Sequence, residues 1–554
     1  MPTTGLETQL LSSLEKVFPD QASAGPAWER GTALRDEVYS FQVAYRWTAS
    51  SRALRFVRVR AESELAGRVT VRSVGLVPSE LPIYADHDGD VLRASPGLYP
   101  DPLLPVDAAE GLVAPPGQWR AVWITVDLGG FAGAGVYPIR IRFEDEAGRE
   151  LAVETFELDV IPAALPEQKL IHTEWLHADC LSVHYGVEPL SEAHWALLEK
   201  YVRAAASHGI NMILTPLFTP PLDTKVGGER PTVQLVEVKA SGGTYTFGFD
   251  RLRRWIGMCE RAGVRYFEFS HLFTQWGAAH APKIVAEQDG RAVKLFGWET
   301  DAAGAEYERF LDQLLPALTA FLKERDIAGR SYFHLSDEPG LAHLESYRAA
   351  GMRLRKHLDG FPIMDALSNV EFYERGYVKQ PIPASDHLEP FLDAGVPDLW
   401  TYYCCSQYKD VSNRFFCFPS ARNRIIGVQL YKFAVAGFLH WGYNFWFSQY
   451  SVSAIDPFRV TDAGCAFPSG DAFVVYPGPD GPIESIRLEV FYEALQDLRA
   501  LQLLESLIGR ERTLRLLEDG LGEPITFKRY PREAKWLLGL RERINAAIRQ
   551  RVEK

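Results

Sequence analysis

Apolar and polar positions alternate with a period of two through most of the first 160 residues. EVYSFQVAYRW (37–47), LRFVRVRAES (54–63), GRVTVRSVGLV (67–77), QWRAVWITVDL (118–128), GVYPIRIRFED (135–145) and AVETFELDVIP (152–162) each carry the pattern, with Gly, Pro, Asp and Ser between them. Such alternation describes strands buried on one face, and several of them with turn chemistry between predict a β-sandwich. PGLYPDPLLP (96–105) is too rich in proline for a strand interior and reads as a surface connection.

After IPAALPEQ, at about residue 165, strand-like runs begin to alternate with segments of helical period. LIHTEWL (170–176), NMILTPL (211–217), RYFEFS (265–270), SYFHLS (331–336), PIMDAL (362–367), LWTYY (399–403), FFCF (415–418) and GFLHWGY (437–443) are the strand candidates. Helical patterns fall at 191–208, 249–262, 303–325, 341–358 and 421–436, and the stretch after the fifth strand is poorly periodic. Eight strands with intervening helices predict a (β/α)₈ TIM-type barrel. FVVYPG (473–478) and helices near 484–507 and 530–552 form a C-terminal extension packed on the barrel. The expected fold class is therefore multidomain β + α/β, with a sandwich over 1–164, a catalytic barrel over 165–470 and an extension over 471–554.

Composition narrows the function. Lys and Arg total 59 against 72 Asp and Glu, a net charge of −13 without a basic block, which argues against nucleic-acid or anionic-membrane binding. No run of 18 apolar residues occurs, and the start MPTTGLETQLLSSLEKVF lacks a positive region followed by an apolar one, so a cytoplasmic location is expected. Six cysteines in 554 residues, none in a C-x-x-C pair, are too few for a disulfide framework. His177, Cys180 and His184 share a helical face but lack a fourth ligand at any obvious spacing, so neither metal nor cofactor is expected.

Barrel enzymes gather their chemistry at the carboxyl ends of the strands. Here those ends carry Glu174, Trp175 and His177; His271, Gln275 and Trp276; His334, Ser336, Asp337 and Glu338; Trp400, Tyr402 and Tyr403; and His440, Trp441, Tyr443 and Asn444. Any one aromatic residue among them is more simply a core filler. The whole set, with aromatic faces interleaved with hydrogen-bonding groups, suits a sugar, whose rings have apolar faces and polar rims. Adjacent acids at a buried strand end raise each other's pKa, as a general acid at neutral pH requires. Pro339 is expected to keep Glu338 extended, and strand alternation to aim Glu338 into the mouth; Asp337 joins it only if the chain bends there. By the dipeptide alone, DEPG suits a helix-entry turn equally well.

PGLYPDPLLP, HLSDEPG (334–340), GFLHWGYNFW (437–446) and GDAFVVYPGPDGPIESIRLEVFYEALQDLRAL (470–501) resemble glycoside hydrolase family 123, the exo-acting β-N-acetylgalactosaminidases, and related proteins with the same catalytic domain. The likeness covers roughly 165–505 and extends more loosely into the sandwich. It implies release of terminal β-linked N-acetylgalactosamine from a glycan or glycoside with retention, the sugar's 2-acetamido oxygen attacking its own anomeric carbon. By this resemblance Asp337 orients the acetamido N–H, and Glu338 protonates the leaving oxygen and then deprotonates water. A Tyr hydroxyl, from Tyr403 or Tyr402, holds the acetamide oxygen. Trp441 and Trp400 wall the pocket, while Asn444, Tyr443, His271, Gln275 and Glu174 are candidates for the sugar hydroxyls. Known members are often longer and carry export signals, so this chain is expected to act on imported or small glycosides. Two alternatives stay open: a conventional retaining β-glycosidase with Glu174 or Glu268 as nucleophile, although Glu268, mid-strand in YFEFS, reads more simply as a buried structural acid, and a non-catalytic carbohydrate-binding protein.

Overall fold

The computed structural model describes residues 5–21, 25–48, 55–107 and 111–553. The N-terminal region forms two five-stranded sheets. One runs Leu6–Ser12, Val38–Trp47, Trp119–Asp127, Val69–Ser79, Gly97–Pro105 in spatial order; the other runs Arg30–Arg35, Glu150–Ala164, Gly135–Glu144, Arg55–Glu62, Leu112–Ala114. Their inner faces share one core, in which Phe41 and Phe156 stack with centroids 4.2 Å apart. Period-two alternation produces this directly, because every second side chain of each strand reaches the same face.

Gly97–Pro105, expected as a surface connection, is an edge strand paired antiparallel with Val69–Ser79. Proline is tolerated at sheet edges and bulges, and the register shifts between Val74 and Leu76, where a Cβ on Gly75 would lie 2.9 Å from the Pro102 ring. The tail covers this edge: Asp101 accepts Arg487 Nε and Nη2, at 2.8 and 2.9 Å.

The second region is a parallel eight-stranded sheet, nearly closed into a barrel. In chain order its strands are Ile171–Glu174, Met212–Thr215, Tyr266–Phe269, Ser331–His334, Ile363–Ala366, Gln380–Ile382, Trp400–Tyr402 and Gly437–His440. The sixth and seventh meet through Tyr402 N–H and the Thr401 hydroxyl, both donating to the Pro383 carbonyl, at 3.2 and 2.9 Å. The sixth strand, in the poorly periodic stretch, was not anticipated: three residues with Pro381 at the centre show no alternation. FFCF (415–418), expected as a strand, is a buried turn whose Phe415 and Phe416 carbonyls accept the Lys16 ammonium at 3.3 and 2.9 Å. Aromatic burial mimics a strand where the backbone pairs elsewhere.

Loops after the second and third strands carry an additional four-stranded sheet, Thr244–Gly248, Glu237–Ser241, Ile284–Gln288 and Arg291–Phe296. It braces the segments that bear Asp223 and Gln275. Among the described residues no helix is long and apolar enough to cross a membrane. Buried charges tie the parts together: Arg424 pairs with Glu493 and Asp497, and Arg541 with Asp497 and Glu37. These pairs join both N-terminal and barrel segments to the helices Ile486–Ile508 and Ala534–Val552.

Candidate active site

A cavity of about 160 Å³ opens at the carboxyl end of the barrel, lined by Trp175, Gln275, Asp337, Glu338, Tyr402 and Trp441, with Asp223, Trp276, Cys404, Cys405 and Tyr450 among its further walls. The fourth strand ends at His334. Beyond it, Asp365 of the fifth strand accepts the N–H groups of Leu335 and Ser336 at 3.1 and 3.2 Å, and the Ser336 hydroxyl donates to the Thr274 carbonyl at 2.8 Å. The chain then bends. Glu338 has φ of 46°, in the left-handed region, so the extended geometry expected ahead of Pro339 is not what forms. Its N–H donates to the Ala366 carbonyl at 3.0 Å and Asp337's carbonyl accepts the Trp276 N–H at 3.0 Å. This is the sparsely populated backbone that persists only where its surroundings over-determine it, and it brings both acids to one cavity.

The two carboxyls have different partners. Gln275 Nε2 donates to Asp337 Oδ2 at 2.6 Å; the Tyr402 hydroxyl donates to Glu338 Oε1 at 2.8 Å. Burial and the neighbouring Glu338 charge push Asp337 well above the usual carboxylate range, and burial raises Glu338 despite the Tyr402 hydrogen bond. Glu338 is nevertheless accessible from the cavity. Together they form a pair that holds a proton where isolated carboxyls would not.

Two of the aromatic walls are pinned by buried acids. Trp175 Nε1 donates to Glu268 at 2.7 Å, and Trp441 Nε1 to Asp471 at 2.9 Å. Burial lifts Asp471 to about 7.

The glycoside hydrolase 123 catalytic-domain model matches residues 175–504. The chain belongs to glycoside hydrolase family 123. A solved family 123 glycoside hydrolase from Clostridium perfringens, described for glycolipid glycan hydrolysis, matches at 13% identity over 99% of this chain and 98% of its own, with a TM-score of 0.75. An endo-β-1,4-mannanase from Thermotoga petrophila overlaps at a TM-score of 0.35 and 12% identity, over 60% of this chain and 77% of its own. No curated protein sequence matches.

Several strand-end residues of this family 123 hydrolase lie outside the cavity lining. Glu174 is fully buried; burial alone would raise its carboxyl, but Arg414, gripping it at 2.6 and 3.1 Å, holds it well below the usual range. Glu268 accepts from Thr173, Trp175 and His334. Both acids are therefore engaged in structural pairs rather than free as nucleophiles. Trp400 begins its strand instead of ending it, and packs where a Cβ on Gly437 would lie 2.1 Å from its ring. It lines a separate cavity at the opposite end with Tyr266 and Tyr332. Tyr403 points away from Tyr402, against Phe438 and His440, its hydroxyl buried without a partner in the described residues. Tyr443 donates to the Tyr201 carbonyl at 3.0 Å, and the Asn444 amide brackets the backbone of His177 at 2.8 and 3.1 Å.

The remaining two candidates, His271 and His334, are fully buried and stacked, centroids 4.2 Å apart. His334 donates to Glu268 at 2.5 Å and to Asp365 at 3.3 Å; burial opposes its charge, but the two carboxylates lift it to about 10. Burial and that cation push His271 well below its ordinary value. Donor atoms of His271, His334 and Asp365 lie within 4.8 Å of one another, but both ring nitrogens of His334 are already engaged, Nε2 on Glu268 and Nδ1 on Asp365. His177 is taken by Arg230 and the Trp441 carbonyl, and Cys180 by the Trp446 N–H.

Sequence reading missed Asp223, Asp365 and Asp471, whereas Glu268 is the buried structural acid that its mid-strand position suggests. Asp223 sits on the cavity wall with its N–H donated to Gln275 Oε1 at 2.6 Å and its carboxylate accepting the Tyr450 N–H at 3.0 Å; burial raises it to about 6. Of these three, only Asp471 had a signal, as part of the GD that opens the tail motif.

The His334 cation yields a stability prediction. Its folded pKa, about 10, exceeds the ordinary 6.5, so its stabilisation is complete below about pH 6.5 and lost as pH rises through 10. Removing one partner of a buried pair costs about 3–5 kcal/mol. His334→Ala should therefore lower the denaturant midpoint strongly at pH 6, with the gap from wild type closing toward pH 10. A gap independent of pH would show that the imidazole acts by packing alone.

Proposed function

We propose that the protein removes terminal β-linked N-acetylgalactosamine from glycans with net retention, the substrate's 2-acetamido oxygen serving as nucleophile. The observation that carries this reading is the division of carboxylates: Asp337 and Glu338 share the cavity with separate partners, while Glu174 and Glu268 are committed to buried pairs. Gln275 holds one oxygen of Asp337, leaving the other to take the acetamido N–H and to face the positive charge of the cyclised intermediate. Asp337 is lifted further than Glu338, so the pair's proton has to sit on Glu338 once the acetamido N–H is on Asp337; Glu338 then donates it to the glycosidic oxygen and later receives one from water. The expected atoms balance: the C1–O bond breaks as the acetamide oxygen bonds to C1, and water later opens that ring with a second inversion.

Trp175, Trp441 and Tyr402 supply apolar faces for the sugar and its acetamido methyl. Asp223 is the other acid on the wall, and a pKa near 6 with one oxygen on Tyr450 suits accepting a sugar hydroxyl better than attacking carbon. The aglycone remains at the mouth, in line with the glycolipid glycan named for the Clostridium perfringens relative.

The test compares 4-nitrophenyl N-acetyl-β-galactosaminide with the plain β-galactoside. We expect hydrolysis of the first only, with β-N-acetylgalactosamine as the first product seen by proton NMR. Cleavage of both at similar rates would indicate a conventional retaining enzyme, and an α first product would indicate direct attack by water.

A further inference from the structure

Cys404 and Cys405 both line the catalytic cavity, which neighbouring residues of a strand cannot do, since successive side chains face opposite ways. The arrangement arises because the strand stops at Tyr402. A turn follows, closed by Gln407 N–H to the Cys404 carbonyl at 3.1 Å. Gln407 Oε1 in return accepts the Cys404 N–H at 3.0 Å and its thiol at 3.3 Å, while Asn413 Nδ2 donates to the Cys404 carbonyl at 2.9 Å. Side chain and backbone thus hold the turn in one shape. Both thiols are free and partly exposed, whereas Cys180, Cys259 and Cys417 are buried and Cys465 stands alone.

Cys404 is also two residues from Tyr402, whose hydroxyl holds Glu338. Neither sulfur has a part in the hydrolysis proposed above. The lining contains no Lys, Arg or His to activate a thiolate. The hydrogen bond to Cys405, followed by burial, keeps the Cys404 thiol well above its ordinary pKa. Such a thiol reacts slowly with a reagent that forms one bond, but two thiols side by side form two bonds to one soft centre, the preference of thiolate ligands.

We propose that Cys404 and Cys405 form a dithiol site for soft, thiophilic trivalent metalloids and that its occupation closes the catalytic cavity. With an arsenoxide, R–As=O, both S–H bonds and the As=O bond are consumed, two As–S bonds form and one water leaves; no oxidant is needed. The organic group is then held in the cavity beside Tyr402 and Glu338.

Phenylarsine oxide added to the full-length protein tests this. Intact-mass measurement should find one adduct per chain, mapped by proteolysis to the fragment bearing Cys404 and Cys405. The adduct should be removed by 2,3-dimercaptopropanol and not by 2-mercaptoethanol, and be absent from Cys404→Ser and from Cys405→Ser but present in Cys465→Ser. Activity should fall at least about tenfold on arsenical binding and return with the dithiol. An adduct that maps elsewhere, or that a monothiol removes, overturns the site. Adduct without loss of activity overturns the closure. The mass arms need no substrate, so they stand apart from the assignment of the sugar.

Discussion

Glu338→Gln should lose about 10²–10⁴-fold in kcat/KM on substrates with alkyl or sugar leaving groups, the range that a positioned general acid contributes. On a dinitrophenyl glycoside the loss should be far smaller, because that phenolate departs without a proton. Asp337→Asn should be damaging with every leaving group, about 10²–10³-fold, since what it removes is a charge aimed at the acetamido group rather than a proton for the aglycone. The contrast follows from the partners in the structure: Tyr402 serves Glu338, and Gln275 serves Asp337. The pH profile gives the same division a second reading. Burial raises Glu338, so the acid form persists above the ordinary carboxylate range and activity falls as pH rises through the raised value. That alkaline limb belongs to the coupled pair, and it should flatten in Glu338→Gln assayed on the dinitrophenyl substrate. The measurement is a plot of log kcat/KM against leaving-group pKa for wild type and both variants. Equal slopes for Glu338→Gln and Asp337→Asn would end the division of labour.

The strand-end pair was legible because two acids before a proline are costly without a use, and because barrel chemistry has a fixed end. The rest of the site was less so, for a reason visible at Tyr402 and Tyr403. A strand alternates faces every residue, so a one-residue doubt about where it ends exchanges the side chain that reaches Glu338 for one that packs on Phe438. Trp400 fails in the same way at the other end of the same strand. Asp365 lies in a short apolar run where a charged residue has no period to mark it, and Glu268's mid-strand position marks it as structural without naming its partners; those partners, Trp175, His334 and the backbone after it, come from other strands. Pairing across the barrel is not written in local spacing. Gly97–Pro105 shows the converse: its prolines argue locally against a strand, and the tail's cover over Asp101 and Pro102 resolves the conflict at an edge.

A thiazoline fused to the galactosamine ring, mimicking the cyclised intermediate, should inhibit the wild-type enzyme at least about 10²-fold more tightly than free N-acetylgalactosamine binds, since catalytic sites favour such states over the ground state. The mimic carries a protonated ring nitrogen where the acetamido N–H would be. Asp337 is placed to pair with it: Gln275 already satisfies one oxygen, and the protonated His334 behind the strand lowers the cost of the carboxylate charge. Asp337→Ala removes that pairing and leaves Gln275 without its acceptor, so most of the preference should vanish, while free N-acetylgalactosamine, which loses only the hydrogen bond from its acetamido N–H, should weaken less. Tyr402→Phe should have a smaller effect, because its hydroxyl is spent on Glu338, and Tyr403→Phe almost none, because that hydroxyl lies outside the cavity. Inhibition constants for the thiazoline and for N-acetylgalactosamine against these variants decide the matter. If the thiazoline binds wild type no better than the free sugar, or binds Asp337→Ala as tightly as wild type, the acetamido group is not the nucleophile that Asp337 serves. The neighbouring acids would then need a protein nucleophile, with Asp223 the remaining carboxylate on the cavity wall to examine.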